Sequence, residues 1–346
     1  MKIKAELIKN KLIIENVKEA SRLYNRNHFG KPLSNNKLEL DLIEGAFLLE
    51  QEKIDIIQNQ KKLNFKDFIE EIVKKFQGFE IKYQAYKDLR LRGIALKLSS
   101  NKKNIDFSKI KIKKGEKEDF YVSSFSEHDT FDIKKIANLC NRTTNQNKKL
   151  WFLIVDEEGD ITYYDVSKVK LIGENKESNY KITKAFLLDN IVLIFDKKNA
   201  NKFFDKEFYG KPFGKGLQLS LIEALYLSEK GFLDIKTKNN KKISEANFKK
   251  SHNDLIEKLI VFKDLKNNGL IVKTGFKFGT HFRTYSKNPN NSHAEYLVHV
   301  VSDKYCSIWS EVSRGIRLAH SVNKEFIFAM INKKKIDYIR LGRLRP

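Results

Sequence analysis

The stretch LELDLIEGAFLLEQEKIDI, which begins at Leu38, returns as LQLSLIEALYLSEKGFLDI, which begins at Leu217. A Phe-Gly-Lys-Pro motif ends at Pro32 before the first copy, and a Tyr-Gly-Lys-Pro motif ends at Pro212 before the second. Two of the four prolines in the chain therefore stand in the same setting. This agreement in sequence and in order indicates that one structural unit occurs twice.

Further matches extend the duplication over nearly the whole chain. YKDLRLRG at 86–93 pairs with FKDLKNNG at 262–269, and NKKLWFLIVD from Asn147 pairs with NKEFIFAMIN from Asn323. The offset is 180 residues at the prolines, 179 at the following helix and 176 in these later segments. Such a period predicts a duplicated domain, because solenoid repeats recur every ~20–50 residues.

Each unit combines helical and strand patterns. KIKAELI and KLIIE flank Lys9 and Asn10, which predicts a β-hairpin. Residues 64–76 carry apolar side chains at helical spacing after an asparagine suited to the N-cap, so they predict a helix. Beyond Asp88 and Asp264 the pattern changes to strands and one helix. The predicted fold class is therefore α+β.

The predicted architecture is a tandem duplication. In each unit a helix-rich N-terminal subdomain precedes a mixed-sheet C-terminal subdomain. The polar stretch 173–178 is the predicted link between the units. The predicted subdomains are residues 1–87, 88–173, 179–263 and 264–346.

Composition restricts the class of protein. The 346 residues carry a formal charge of +23, which favours an anionic partner such as nucleic acid or a membrane surface. Apolar runs such as Trp151–Val155 are far shorter than the roughly 20 residues of a membrane span, so no membrane is expected. The N-terminus has no apolar signal segment, and Cys140 and Cys306 stand far apart. These features exclude a disulfide scaffold and a cysteine-based zinc site and predict a reducing, cytoplasmic location.

Histidines are distributed unequally between the units. Four of the seven lie in the second half of the second unit, whereas the equivalent part of the first unit has only His128. This difference suggests that only the second unit kept a polar catalytic site. His299 lies within an apolar strand and His320 within a helix, so packing is expected for both. His293 follows the polar loop 286–292, and functional residues are often placed on such loops.

Two further residues flank the same region. Tyr285 ends the strand before the loop that leads to His293, and Lys324 precedes the apolar strand FIFAMI. Each residue alone carries little information, since most tyrosines pack and most lysines at strand ends are solvated. Together a tyrosine, a histidine and a lysine on converging strand ends can supply a general base, a general acid and charge stabilisation without a metal.

Two long motifs carry a resemblance to a known family. GLIVKTGFKFGTHFRTYSKNPNNSHAEYLVHVV (269–301), followed by RGIRLAHSVNKEFIFAMI (314–331), resembles the catalytic domain of the archaeal tRNA-intron splicing endonucleases. The front parts with their FGKP, YGKP and LIE motifs resemble the family's N-terminal domain, so the resemblance covers essentially all of 1–346. The two-unit layout is similar to the subclass in which one chain carries two repeats and works as a homodimer.

The resemblance implies roles for three residues in a nuclease-like subdomain. Tyr285 would remove the proton from a ribose 2′-OH as it attacks the adjacent phosphorus. His293 would protonate the departing 5′-oxygen, and Lys324 would offset the charge on the phosphoryl oxygens. The expected products are a 2′,3′-cyclic phosphate and a 5′-OH. No acidic cluster of metal-ligand type lies near these residues in the sequence, so neither a metal nor another cofactor is expected.

The first unit departs from the family's pattern. Residues 99–122 face the Tyr285 and His293 region in the repeat alignment, and no Tyr–loop–His arrangement survives there. Lys148 matches Lys324, but a lone lysine cannot carry the acid–base steps. The first unit is therefore predicted to be a structural, pseudo-catalytic repeat.

Two arginines are implied to bind RNA. Arg317 lies seven residues before Lys324, and Arg343 lies three residues from the C-terminus. Both match family arginines that hold an extruded nucleotide. A guanidinium stacks on a base and binds phosphate, which suits single-stranded bulges.

An acidic segment stands out in this basic chain. It connects the predicted strands LWFLIV and ITYYDV, and it can be an ordinary charged turn. The matching turn of the second unit, residues 332–335, is basic instead. In the resembling family an acidic loop docks into a basic cleft of the opposing catalytic unit, which implies a dimer contact here. The acidic residues are Asp156, Glu157, Glu158 and Asp160.

The predicted function is a homodimeric tRNA-splicing endonuclease. Its substrate would be precursor tRNA folded as a bulge-helix-bulge, cut once in each bulge by metal-independent 2′-OH attack. One alternative is a non-catalytic RNA-binding subunit with the same fold, and a second is a metal-dependent nuclease. The combination of Tyr285, His293 and Lys324 favours the endonuclease over the first alternative, and the lack of nearby carboxylates disfavours the second.

Overall fold

The computed structural model describes residues 2–99, 104–112, 119–237, 239, 241, 255–333 and 335–346. Parts of the segment 99–122 and Lys334 of the basic turn, both considered above, lie outside these ranges. The described chain is an α+β protein in which similar elements recur in both halves, as predicted.

Strands and helices alternate along the first repeat, which ends with strands of a larger sheet. Its elements are β1 (Ile3–Ile8), β2 (Lys11–Ile14), α1 (Val17–Asn27), β3 (Lys31–Pro32), β4 (Leu38–Leu40), α2 (Leu42–Glu50), β5 (Ile54–Gln58), β6 (Lys61–Leu63), α3 (Phe65–Val73), α4 (Phe79–Leu91), β7 (Leu96–Leu98), β8 (Phe107–Lys109), β9 (Phe120–Ser126), β10 (Thr130–Asp132), α5 (Ile133–Asn145), β11 (Lys149–Val155) and β12 (Ile161–Lys168).

The second repeat follows the same order. Its described elements are β13 (Thr183–Leu188), β14 (Ile191–Ile194), α6 (Lys197–Glu207), β15 (Lys211–Phe213), β16 (Gly216–Ser220), α7 (Leu221–Glu229), β17 (Leu233–Lys236), α8 (Leu255–Asn267), β18 (Ile271–Thr274), a 3-10 helix (Phe276–Phe278), β19 (Phe282–Tyr285), β20 (Tyr296–Ser302), β21 (Cys306–Ile308), α9 (Trp309–Ser321), β22 (Glu325–Asn332) and β23 (Lys335–Leu344).

The predicted hairpin and helix are present with small differences. β1 and β2 pair antiparallel across the turn that contains Lys9. Asn64 caps α3, because its side chain accepts a hydrogen bond of 2.8 Å from the amide of Asp67. The helix ends at Val73 rather than at Phe76. Apolar spacing identified the buried face, but it did not identify the end of the helix.

The front part of each repeat contains a small sheet as well as helices. In the first repeat its strand order is β3-β4-β2-β1-β5-β6, and in the second it is β15-β16-β14-β13-β17. Asp88 lies within α4 and Asp264 within α8, so both residues belong to helices that bridge the front and back parts.

One buried carboxylate explains the motifs that reveal the duplication. Glu44 accepts hydrogen bonds of 2.9 Å from the amides of Gly30 and Asp41, so it joins the FGKP turn to the start of α2. Glu223 makes the same 2.9 Å bonds to Gly210 and Ser220 in the second repeat. A Cβ at Gly30 would lie 2.6 Å from a backbone oxygen, so only glycine fits this approach.

The back parts of the two repeats form one sheet of ten strands. Its order is β18-β19-β20-β22-β23-β12-β11-β9-β8-β7. The repeats meet where β12 pairs antiparallel with β23. They meet again in a two-stranded sheet where Phe131 pairs with Ser307, its own equivalent 176 residues later. The two repeats are therefore related by an approximate twofold axis.

The junction between the repeats is filled with aromatic side chains. Trp309 is fully buried against Phe131, with ring centroids 5.0 Å apart, and also against Phe152 at 5.6 Å. Trp309 therefore belongs to the core at the start of α9. In the part of the chain that the structure describes, no helix combines the length and apolar character of a membrane span.

Candidate active site

Strand register brings Tyr285 and Lys324 to one edge of the sheet. β19 ends at Tyr285, and its neighbour β20 begins one residue after Glu295. The amide of Glu295 donates to Thr284 at 3.0 Å, and the amide of Glu325 donates to Glu295 at 2.9 Å. The ends of three adjacent strands therefore present Tyr285, Glu295 and Lys324 side by side.

Tyr285 also shares a sheet face with Lys324. Side chains alternate along a strand, so Tyr285 lies on the same face as Arg283. The cross-strand partner of Arg283 is Leu297, which packs in the core under α9, and so does Phe326 two residues after Lys324. Both candidate residues thus belong to the face of the sheet that α9 covers.

The ring of Tyr285 is held firmly. It is 9% exposed and packs against Ile271 and Ala294. The guanidinium carbon of Arg283 lies 5.9 Å from its ring centroid. The positive charge of Arg283 therefore lies close to the tyrosine, and the packing leaves its ring few orientations.

His293 is exposed on a loop whose base is fixed. The Ser286 hydroxyl donates to Glu295 at 2.5 Å across the base, and the Ser292 hydroxyl donates to the carbonyl of Asn288 at 2.8 Å. Ala294 is buried beside the ring of Tyr285. The backbone of His293 is thereby anchored next to Tyr285 while its imidazole remains in solvent.

Lys324 follows α9 in a tight turn. Asn323 has a φ of 54°, and the amide of Lys324 donates to Ala319 at 2.9 Å. The ammonium donates to the carbonyl of Val322 at 3.3 Å and lies 5.8 Å from the ring centroid of Phe278. Among the described residues no carboxylate lies within 4.0 Å of it. Its charge therefore remains available for an anion.

The two candidate RNA-binding arginines lie together. Both side chains are exposed. Arg343 pairs across the strands with Tyr164, and Arg317 lies on α9 over the same face. Burial raises the pKa of Tyr164, while the positive charges of Arg317 and Arg343 act on it in the opposite direction. Both guanidinium groups thus act electrostatically on one buried ring at the junction of the repeats.

The other histidines that the structure describes in the second repeat have other roles. His299 packs against Phe326 and Phe328, as expected for a core residue. His281 accepts a 2.9 Å hydrogen bond from the amide of Val300, and burial, helped by the neighbouring His299, lowers its pKa to about 4. The expected packing of His320 is wrong, because this residue is exposed on the solvent side of α9.

The link between the repeats reaches the candidate site, which the sequence did not reveal. The amide of Glu174 donates to the carbonyl of Ser286 at 2.9 Å, directly after Tyr285. The amide of Ser178 donates to Glu207 at 2.9 Å, and the buried Lys266 lies 3.9 Å from the same carboxylate. The link therefore ties the front part of the second repeat to the loop that bears His293.

The acidic turn lies elsewhere, between β11 and β12. Its acidic side chains are all exposed. The carboxylate of Asp156 accepts from the amides of Glu158 and Asp160 at 3.1 and 2.9 Å, so Asp156 shapes the turn itself. Glu157 lies 2.8 Å from His128 and, with Glu127, forms a group with metal-ligand spacing in the described part of the first repeat.

Family models match each repeat in two parts. The N-terminal domain of tRNA intron endonucleases matches residues 3–69 and 183–249, and the catalytic C-terminal domain matches 79–163 and 255–338. The chain belongs to the tRNA intron endonuclease family. It is therefore an endonuclease of tRNA splicing, built from two copies of the family's domain pair.

Two relatives are similar in sequence over nearly the full length of this tRNA intron endonuclease, and a third is similar over about half of it. A tRNA-splicing endonuclease of Methanococcoides burtonii is 36% identical over 355 residues, which cover 99% of this chain and 100% of that protein. One from Methanosarcina mazei is 31% identical and covers 98% of both chains. A protein of the same name from Methanothermobacter thermautotrophicus is 37% identical over 163 residues, which are 46% of this chain but 95% of that one. That relative corresponds to about one repeat.

Proposed function

We propose that the second repeat cleaves precursor tRNA at bulge-helix-bulge splice sites by attack of a ribose 2′-OH on the adjacent phosphorus. The observation that carries this proposal is the meeting of Tyr285 and Lys324 at one sheet edge, with a lysine that has no carboxylate partner among the described residues. An unneutralised cation at the same sheet edge as a tyrosine suits a phosphodiester.

Each residue has a distinct task in this reaction. Tyr285 takes the proton of the 2′-OH as the new O–P bond forms. His293 gives a proton to the 5′-oxygen as the old O–P bond breaks, and its exposure lets it reach a bound strand. Lys324 stabilises the charge on the non-bridging oxygens. The products of this lyase-type transesterification are a 2′,3′-cyclic phosphate and a 5′-OH.

Arg317 and Arg343 hold a nucleotide of the bulge in this proposal. Both side chains are exposed, Arg343 lies opposite Tyr164 in the sheet, and both positive charges act on that tyrosine. Two planar cations on one face can enclose one unstacked base. Recognition of a bulge rather than of a regular helix follows from this arrangement.

A homodimer completes the proposed enzyme. Each chain carries one set of Tyr285, His293 and Lys324, whereas a bulge-helix-bulge has two sites to cut. The exposed acidic turn between β11 and β12 suits docking against a basic partner surface, since complementary charges steer association. We also propose a cytoplasmic location, because Cys140 and Cys306 are both free thiols.

The dimer contact is tested by reversing charge without breaking the turn. Glu157, Glu158 and Asp160 are changed to lysine, and Asp156 is kept because it accepts the hydrogen bonds that shape the turn. The variant is expected to shift towards monomer in sedimentation velocity and to lose cleavage. Lys333→Glu in the matching turn is the control. A stable dimer with undiminished cleavage would refute the role of the turn.

The reaction is tested by cleavage of a bulge-helix-bulge RNA in excess EDTA. Cleavage with 2′,3′-cyclic phosphate ends supports the proposal, and loss of cleavage that Mg²⁺ restores supports a metal-dependent nuclease. RNA binding without cleavage in either condition would support the alternative of a non-catalytic RNA-binding subunit. Analysis of the product ends and a separate measurement of RNA binding distinguish these three outcomes.

A further inference from the structure

Phe276 is the most exposed large apolar side chain among the described residues, with 85% of its surface in solvent. It begins the 3-10 helix Phe276–Phe278 between β18 and β19. A solvent-facing aromatic ring is costly to keep in water. We therefore expect the ring of Phe276 to be covered by a binding partner during the reaction.

The loop that displays Phe276 is rigid. The amide of Gly275 donates to His281 at 3.0 Å, and the amide of Phe278 donates back to Gly275 at 2.8 Å. A Cβ at Gly275 would lie 2.4 Å from the Thr280 hydroxyl, and Gly279 has a φ of 66°. Both glycines are thus required by the shape of the loop. The exposure of Phe276 is built into this shape.

The loop lies against the candidate active site. Phe278 packs at the edge of the core under α9, and its ring centroid lies 5.8 Å from the ammonium of Lys324. Phe276 is only two residues away on the same short helix. A strand of RNA whose phosphate meets Lys324 would therefore pass close to the ring of Phe276.

Charge and chemistry around Phe276 suit RNA. Residues 274–285 contain one lysine, one arginine and no carboxylate, and that lysine, Lys277 beside Phe276, is exposed. Interleaved aromatic and basic side chains are typical of surfaces that bind single strands. The acidic turn 156–160 of a second copy is a poorer occupant, because it has no apolar side chain to cover the ring.

The sequence of the aromatic loop occurs only in the repeat that carries Tyr285. The corresponding sequence of the first repeat, residues 99–104, is SSNKKN and has neither an aromatic residue nor a glycine. The first repeat also has no counterpart of His293. The ring and the candidate acid–base residues are thus present in one repeat and absent from the other.

We propose that Phe276 stacks on an unpaired nucleobase of the RNA, next to the phosphate that Lys324 contacts. The proposal rests on the proposed function, because that function places single-stranded bulge RNA at this site. Phe276 selects an unstacked base, and the neighbouring Lys277 holds the backbone of the same strand. It is thus a specificity-determining residue that touches the substrate away from the reacting phosphorus.

The experiment compares Phe276→Ala and Phe276→Trp with Phe213→Ala. Phe213 is also exposed, at 50%, but lies on β15 in the front part of the repeat. Phe276→Ala is expected to weaken binding of a bulge-helix-bulge RNA about 10-fold, with kcat within about threefold, on the scale of one lost stack. Phe276→Trp and Phe213→Ala are expected to match the wild type. Equal binding by Phe276→Ala and wild type would overturn the proposal.

A second measurement identifies the occupant. RNA with 2-aminopurine at single bulge positions is expected to show quenching by the wild type that Phe276→Ala abolishes at one position. If Phe276→Ala instead dissociates the dimer in sedimentation velocity and quenching is unchanged, the ring is covered by a second copy and the proposal is wrong. Failure of the wild type to cleave would refute the proposed function separately, since quenching reports stacking without cleavage.

Discussion

Lys148 and Lys324 occupy the same place in the two repeats but meet different neighbours. Lys148 is 2.9 Å from Asp119 and lies 4.6 Å from the ring centroid of Tyr121. Burial opposes ionisation of Asp119, yet hydrogen bonds from Lys148 and Lys111 hold its pKa below the ordinary value. The equivalent of Asp119 is Glu295, which instead accepts from Ser286.

This difference distinguishes a lysine that is ion-paired within its own chain from one that has no carboxylate partner among the described residues. In the first repeat the ammonium is neutralised by its own chain, so it offers little to a phosphate. In the second repeat the carboxylate holds the base of the His293 loop and leaves Lys324 to an anion. The first repeat thus differs from the second by an internal ion pair as well as by the lack of counterparts of Tyr285 and His293 in its sequence.

The front parts also differ in an ion pair, but here it is the second repeat that contains the pair. Glu223 has the ammonium of Lys273 at 3.8 Å, and that lysine also donates to the carbonyls of Phe208 and Gly210. The equivalent of Lys273 is Lys97, which is exposed, and Glu44 has no ion pair among the described residues. Burial raises the pKa of Glu44 to about 7. The first repeat therefore keeps a carboxyl group that titrates near neutral pH.

The largest expected effect comes from His293. His293→Ala is expected to lower cleavage by about 10²–10⁴-fold, the usual scale for a lost general acid, with RNA binding nearly intact. His299→Ala is the control, since His299 packs in the core and its loss should reduce stability. Single-turnover cleavage and thermal unfolding distinguish the two. If a folded His299→Ala protein is inactive while His293→Ala is active, the assignment is wrong.

A pH effect is expected from Glu44. Its pKa rises from the ordinary 4.5 to about 7 on folding. This shift corresponds to a difference of about 3 kcal/mol in folding free energy between the protonated and the ionised form. A raised folded pKa favours the folded state below about pH 4.5, and this stabilisation is lost as pH rises through about 7. Glu44→Gln should flatten the decline in thermal stability between about pH 4.5 and 7. An unchanged slope would refute the buried titration.

Much of the fold follows from local sequence. Two copies of LIE and GKP motifs, alternating strands and the asparagine cap at Asn64 were sufficient to predict the duplication, the α+β class and many elements. The pairing of β12 with β23 could not be predicted, because strand partners distant in sequence leave no local periodicity. The end of α3 was also missed. Apolar residues continue at helical spacing to Phe76, but the helix ends at Val73, so apolar spacing alone does not determine where a helix ends.

The candidate site was predictable in its residue types and not in its surroundings. Tyr285, His293 and Lys324 stand out from the sequence by their position at strand ends and by the family resemblance. The Asp119–Lys148 pair and the contact of Glu174 with Ser286 depend on register and on the path of the link. Such contacts join residues far apart in the chain, so only the folded structure reveals them.

The arginines should show an intermediate effect. Arg317→Ala and Arg343→Ala are expected to weaken bulge binding by about 1–3 kcal/mol, the scale of a lost stack on one base. Lysine should not restore binding, because it keeps the charge and loses the plane. The first repeat's Arg142, on α5, provides a control outside the candidate site. Full activity in both lysine variants would reject stacking.

The smallest effect is expected from Lys148. Lys148→Met removes a partly buried ion pair but leaves Asp119 with Lys111 at 3.3 Å, so the loss of stability should be only about 0–1 kcal/mol. The cleavage rate of Lys148→Met should stay within about twofold of the wild-type rate, because the ammonium of Lys148 is already paired with Asp119. Lys324→Met at the equivalent position should instead abolish most cleavage while it changes thermal stability little. The two variants are compared in the same cleavage assay. If both lose the same fraction of cleavage activity, the first repeat also contacts the reacting phosphate. Its internal ion pair would then open when RNA binds.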